Sequence, residues 1–501
     1  MCLRDVVASG NCFHLRSSGM ALLSFLDRNH SVAEPGFSRW LVPPAALAIH
    51  LAIGQVYAFS VFKKPLNYLL QVATSGGGLK ALPGVDSPNA MDWKFTSLGW
   101  IFSLAIVCLG LSAAVFGKWL ERVGPRMAMF TSAVCFASGF FVSALGVQLH
   151  QLWLIYVGYG VIGGIGLGIG YISPVSTLIK WFPDRPGMAT GMAIMGFGGG
   201  ALIGSPMSND LMALFRTDHD LGVQKTFLVM GAIYFVAMMF GVFTVRIPRE
   251  GWKPEGWVAP ARPRALVTAH SVEVNEAFGT PQFWLLWVVL CMNVTAGIAI
   301  IEQASPMIQE LFKGQITAVA AGGFVALLSL FNMGGRFAWS SVSDYIGRKN
   351  TYYVFFVLGA ILYYLAPSTG VSGLNNIKLF VTICAVILTM YGGGFATIPA
   401  YLRDLFGTME VGAIHGRLLT AWSAAGVCGP VLVNYIREYE KGRGVALADA
   451  YSTVLYVMVG LLLVGFIANS LVRPVNPKHW YESEKANQDF AAVRGSAVVT
   501  R

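Results

Sequence analysis

Apolar residues run along this chain in long blocks separated by short polar turns, and about twelve blocks can be marked: 40–62, 95–116, 127–149, 152–178, 188–214 and 226–245, then 281–301, 316–340, 351–365, 379–401, 411–435 and 451–471. A helix needs about 20 such residues to cross a bilayer's hydrocarbon layer. Between the sixth and seventh blocks the apolar signal stops, and RIPREGWKPEGWVAPARPR reads as a Pro- and Arg-rich link. The pattern predicts an all-α membrane protein: a disordered cytoplasmic tail over 1–36, six-helix bundles over 37–246 and 281–472, a linker over 247–280 and a cytoplasmic tail over 473–501.

The two sets of six resemble each other. GKWLERVGPRMA follows the second block and SSVSDYIGRKNT follows the eighth, and setting Gly124 on Gly347 gives a shift of 223 that also sets Gly170 on Gly393. One residue further, GYISPVSTLIKWF (170–182) falls on GFATIPAYLRDLF (394–406). One six-helix bundle is therefore used twice. Parallel repeats of this kind point to a carrier whose site lies between the halves at the bilayer midplane.

Composition agrees. Of 501 residues 55% are hydrophobic and 12% charged, against about 25% charged in soluble domains. The net charge of +10 is spread over short turns rather than clustered, which argues against nucleic acid and for topology signals. With both termini cytoplasmic, about 23 Lys and Arg fall on that side and about 11 on the other, as the positive-inside rule expects. Cys108, Cys135, Cys291, Cys384 and Cys428 fall in apolar blocks, and Cys2 and Cys12 in the N-terminal tail, where Met20 is a second candidate start. An odd count without a C-x-x-C pair implies neither a disulfide framework nor a metal site. No H-E-x-x-H or nucleotide loop points to an enzyme. A cofactor is not expected.

One cation is left inside the membrane. Arg336 lies eight residues before Asp344, about 12 Å along a helix, so with Asp344 at the surface it reaches close to the bilayer centre. Arg there costs roughly 3 kcal/mol on insertion scales and normally faces a wet cavity or a partner. Two readings satisfy that requirement: an anion site, or a cation that snorkels or ties two helices.

The duplicated acid-x-x-Gly-x-basic turn (Glu121, Gly124 and Arg126, then Asp344, Gly347, Arg348 and Lys349) resembles the signature turn of the major facilitator superfamily. In each copy the acid is placed to cap a neighbouring helix end and the Gly to turn the chain tightly. The first copy carries Glu121 for the usual Asp and Pro125 for a basic residue, which weakens the charge latch expected there. Within that superfamily the chain is most similar to the oxalate/formate antiporter family, through GQVYAFSVFKKPL (54–66), KWFPDRPGMATG (180–191) and GRLLTAWSAAGVCGP (416–430). The resemblance implies that Arg336, ahead of the second turn, is the anion contact. It also implies a second cation, a Lys of helix eleven, where this chain has Trp422. One Arg suits one carboxylate, since a second buried carboxylate without a cation costs several kcal/mol. Trp422, with its indole N–H, suits a small monocarboxylate better than oxalate, or serves only to pack helices.

The other candidates are weaker. Gln55, Tyr57 and Tyr171 sit mid-block in stretches resembling the family's cavity wall, as ligands or as packing residues. His50 is a buried histidine or a proton relay. Glu302, in IIEQASPMIQE, either ends its helix in solvent or, if Pro306 only kinks the helix, lies at membrane depth and can carry a proton. Glycines 163, 164, 166, 168 and 170, and 196, 198, 199, 200 and 204, permit close helix contact. The expected function is exchange of small carboxylate anions by rocking of the halves, with proton-coupled monocarboxylate symport as the alternative. The partners are the anion and the lipid bilayer of the cell membrane, with no nucleic acid, and one chain suffices as the working unit.

Overall fold

The computed structural model describes residues 24–75, 91–257, 266–312, 315–316, 318–370, 373–445 and 447–481. Among the described residues the chain forms twelve long helices in two sets of six. These are α1 (Val42–Ile53, continued by a 3-10 turn Gly54–Ala58 and by Ser60–Leu66), α2 (Phe95–Val123), α3 (Pro125–Gln148), α4 (Gly164–Trp181), α5 (Pro186–Phe215) and α6 (Val223–Thr244). The second set is α7 (Pro281–Leu311), α8 (Ala318–Ile346), α9 (Arg348–Leu365), α10 (Ile377–Phe406), α11 (Val411–Leu418, then Thr420–Gly442) and α12 (Leu447–Leu471). Among the described residues, eleven stretches are long and apolar enough to cross a membrane. Helix α8 spans 29 residues.

Pairing within the halves follows the repeat. α1 packs on α5 as α7 packs on α11, α2 on α4 as α8 on α10, and α3 on α6 as α9 on α12. The halves meet along α5 against α8 and α2 against α11, two contacts that the same repeat interchanges. Small residues allow both approaches. A Cβ on Gly187 or Gly191 of α5 would overlap Ser340 of α8, and one on Gly416 of α11 would overlap the Ala113 carbonyl of α2. Ser423 Oγ donates to Ile106 O across the second seam at 3.1 Å, and Thr190 Oγ1 of α5 donates to Ala396 O of α10 at 2.6 Å.

Both signature turns lie at one end of the bundle, and each is a latch. Gly124 and Gly347 both take φ +86°, a backbone that L side chains rarely adopt, so each chain reverses within one residue. Asp344 accepts from the Gly187 and Met188 amides at 2.9 and 2.8 Å, capping α5 of the other half. Reciprocally, Glu121 accepts from the Gly412 amide at the start of α11, at 3.2 Å. Asp344 is paired with Arg348 at 2.5 Å, and Arg348 reaches Asp404 at 3.2 Å. The first latch is not weakened by Pro125, because α4 supplies its cation: Lys180 meets Glu121 at 2.6 Å. The remaining basic residues of the turns tie down neighbouring segments. Lys349 donates to the Ser470 and Val472 carbonyls at the C-terminus of α12, at 2.9 and 2.8 Å. Arg126 donates to the Phe25 and His30 carbonyls at 3.1 and 2.8 Å.

That last contact corrects the expectation of a disordered tail up to residue 36. Residues 1–23 lie outside the described residues, but 24–36 are packed on the first half: Leu26 is buried, and Val32 bridges to Ile247 at the start of the linker. At the linker's other end Val272 bridges to Trp480 of the C-terminal segment. A cavity of about 1770 Å³ lies between this linker and the helix ends, lined by residues such as Glu121, Asp184, Asp344 and Asp404.

A second correction concerns α7, which runs unbroken through Pro306 to Leu311. Glu302 therefore lies inside that helix rather than past its end. Its side chain is outside the described residues.

Candidate functional site

Helix α8 has small and polar residues on the side that faces α5 and α10, and there the chain buries Arg336 completely. Its Nε donates to Asn332 Oδ1, one helical turn earlier, at 3.3 Å, and Nη1 donates to the Ile194 carbonyl of α5 at 3.4 Å. Both bonds are long, and Nη2 has no hydrogen-bond partner. A guanidinium carries five N–H donors, so this buried cation is under-satisfied. Two aromatic faces flank it instead, Phe197 of α5 at 5.6 Å and Phe395 of α10 at 5.3 Å.

Local breaks in three helices complete the cage. On α1 the α-helix gives way to the 3-10 turn at Gly54, where a Cβ would overlap the Phe197 carbonyl and would meet Gly200 Cα of α5 at 3.0 Å. That crossing sets Tyr57 against Phe197, ring centroids 5.1 Å apart. Before α4, residues Tyr156–Gly163 form a π-helical stretch, which changes the register in which α4 enters the core. Tyr171 of α4 then stands 5.5 Å from Phe197 and 5.4 Å from Trp422. Helix α11 is broken at Leu419, and Trp422 follows in a tight turn, its amide bonded to Leu419 O at 2.9 Å. The indole packs 4.5 Å from Phe395.

The structure thus brings Arg336, Tyr57, Tyr171 and Trp422 together from both halves. The hydroxyls of Tyr57 and Tyr171 lie beside the guanidinium. Tyr57 makes a long contact to the Tyr391 hydroxyl at 3.4 Å. The Tyr171 hydroxyl and the Trp422 indole nitrogen make no hydrogen bond of standard geometry, although both side chains are fully buried. Three unsatisfied donors in one closed cage are a demand for acceptor oxygens, since an unpaired buried donor costs about 1–3 kcal/mol.

Gln55 does not join them. Its Oε1 accepts from the Tyr234 hydroxyl of α6 at 2.9 Å and abuts Gly204, so the side chain points into its own half. Glu121, Asp344 and the rest of both turns lie at the helix ends. His50 is buried 5.3 Å from Tyr171. It sits beside the Ala46 and Tyr171 carbonyls without a hydrogen bond of standard geometry.

The sequence reading missed Asn332, Phe197, Tyr391, Phe395 and His415. Asn332 alone had a legible signal, four residues before Arg336 on one helix face. His415, buried 5.9 Å from Tyr171 on the side of the second half, follows no spacing pattern. Among the described residues no cluster of His, Cys, Asp and Glu is arranged to hold a metal.

Twelve helices in two matching sets of six around a buried polar cage make the fold that of a multi-pass membrane protein. The chain belongs to the Major Facilitator Superfamily, whose family model matches residues 36–430; it is a multi-pass membrane transporter rather than an enzyme. An oxalate:formate antiporter from Oxalobacter formigenes is 26% identical over 384 residues, covering 75% of this chain and 83% of that one. Apicoplast pyruvate carrier 1 of Toxoplasma gondii is 22% identical over 483 residues, covering 82% and 86%. Among solved structures, the E. coli fucose:proton symporter FucP superposes with a TM-score of 0.62 over 87% of this chain and all of that chain, at 13% identity, a likeness of fold alone.

Proposed function

We propose that this carrier exchanges small organic anions across the cell membrane, with monocarboxylates of the size of formate, lactate or pyruvate as its main substrates. The observation that carries this reading is that Nη2 of the fully buried Arg336 makes no hydrogen bond, while Tyr57 and Tyr171 of the other half stand beside the guanidinium. A carboxylate beside Arg336 accepts from the guanidinium and from the Tyr171 and Trp422 donors at once, and cancels a buried charge. No second Lys or Arg stands in the cage among the described residues, which limits the tightly bound charge to one carboxylate. The names of two relatives, an oxalate:formate antiporter and a pyruvate carrier, agree with a short carboxylate. The excess of Lys and Arg at the latched end supports a cytoplasmic position for that end and both termini.

The test is counterflow in proteoliposomes loaded with unlabelled formate, lactate, pyruvate or oxalate. Labelled monocarboxylate should accumulate transiently, and Arg336→Ala should lower that exchange about a hundredfold, the loss expected when charge-assisted hydrogen bonds of about 3 kcal/mol are removed. Exchange that survives Arg336→Ala would refute the site. One observation supports a second reading, proton-coupled symport. The backbone of α7 continues through position 302, as that reading requires, and an acid at membrane depth neutralises by taking a proton. Glu302→Gln separates the two, since exchange survives it and pH-driven net uptake does not.

A further inference from the structure

Around Tyr171 stand two buried histidines that the monocarboxylate reading leaves unused. His50 of α1 and His415 of α11 are buried to 0% and 1% exposure and approach Tyr171 from opposite halves, with ring centroids 5.3 and 5.9 Å away. His415 Nε2 has no hydrogen-bond partner. The carbonyls of Ala46 and Tyr171 lie beside His50 and can accept from its ring nitrogens.

The groups that face the two rings are few. Arg336 of α8 and Tyr171 of α4 face His50, and His50 and Tyr171 face His415. The acids brought to the start of α11 are engaged elsewhere: Glu121 of α2 with Gly412, Ser176 and Lys180, and Glu410 with the Val274 amide. No carboxylate is recorded against either ring among the described residues. A substrate carboxylate would be the first negative charge to stand beside these two rings.

We propose that His50 and His415, with Tyr171 between them, form a proton-dependent second pole of the Arg336 site, which lets the carrier accept a short dicarboxylate together with one proton. The inference rests on the Arg336 reading above and deepens it. Charge decides the stoichiometry. A monocarboxylate on Arg336 leaves the loaded cage neutral with the histidines neutral. A dicarboxylate leaves it at −1 unless the pair takes up one proton, which restores neutrality and gives the far carboxylate an imidazolium donor. Exchange then balances: one monoanion leaves as one dianion and one proton enter, so a net charge of −1 crosses each way. The histidines take the place of the second fixed cation that Trp422 excludes.

The experiment measures counterflow of labelled oxalate and of the best-exchanged monocarboxylate in proteoliposomes over roughly pH 5.5–7.5, a window in which oxalate stays doubly ionised because carboxyl groups titrate near pH 4. The oxalate-to-monocarboxylate ratio should rise as pH falls, by up to about tenfold per pH unit for one linked proton, and should be flat in His415→Gln and His50→Gln. A second readout needs no variant. With monocarboxylate inside and oxalate outside, a lumenal pH dye should report acidification that begins with exchange and is absent from monocarboxylate–monocarboxylate exchange. A flat ratio in the native protein, a rise that persists in both variants, oxalate not carried at any pH, or exchange without lumenal acidification each overturns the proposal. Arg336→Ala separates the two levels. If it abolishes monocarboxylate exchange while the native ratio is flat, only the histidine pole fails; if it carries monocarboxylate as well as the native protein, the Arg336 site fails with it.

Discussion

Arg336 is the residue whose surroundings say most, because it is fully buried and makes only two long hydrogen bonds. Trp422 is its sharpest test. The indole packs between Phe395 and Tyr171 and its nitrogen is unpartnered, so ring and donor can be separated. Trp422→Phe keeps an aromatic wall and removes one N–H. If that N–H meets the carboxylate, the half-saturating monocarboxylate concentration should rise about five- to tenfold, the worth of a hydrogen bond near 1 kcal/mol. An unchanged value would assign Trp422 to packing alone. The sequence marked Arg336 because a charge stands out in an apolar block; it could not show that Phe197 and Phe395 cover the guanidinium, since they come from two other helices.

At the scale of elements, the site depends on where helices are interrupted. The 3-10 turn at Gly54, the π stretch before α4 and the break at Leu419 lie shortly before Tyr57, Tyr171 and Trp422 in turn. The apolar pattern predicted the helices themselves but smoothed over these breaks, since a local change of hydrogen-bond register leaves hydropathy untouched. The latches are the other element-scale device. Asp344 caps α5 through two backbone amides, and a cap of this kind is worth about 0.5–2 kcal/mol. Asp344→Asn should therefore shift the molecule towards opening at the latched end. In a cysteine-depleted background, a cysteine at Thr190, now buried against Ala396, should react with maleimide several-fold faster, as a shift of about 1 kcal/mol implies. Unaltered labelling would mean that the α5–α8 packing holds the end closed without the cap.

For the whole molecule the argument concerns the state without substrate. Carrying an uncompensated Arg336 through a closed intermediate costs several kcal/mol, whereas a bound carboxylate cancels the charge. Exchange should therefore run at least about ten times faster than net efflux into anion-free medium, a difference of about 1.4 kcal/mol or more. Equal rates would show that the protein compensates Arg336 from within.

The sequence by itself determined the membrane class, the twelve spans, the duplication and the buried cation, because each follows from local hydropathy or from a spacing that a single chain displays. It also placed both acids of the signature turns. Only the tertiary structure decided what those residues meet: that Lys180 completes the first latch, that Gln55 turns to Tyr234 rather than to Arg336, that residues 24–36 pack on the first half, and that His415 stands opposite His50. The physical reason is the same in each case. These partners are brought together by helix crossings between segments far apart in the chain, and a crossing is set by small residues and backbone breaks on both helices at once, which no single stretch of sequence records.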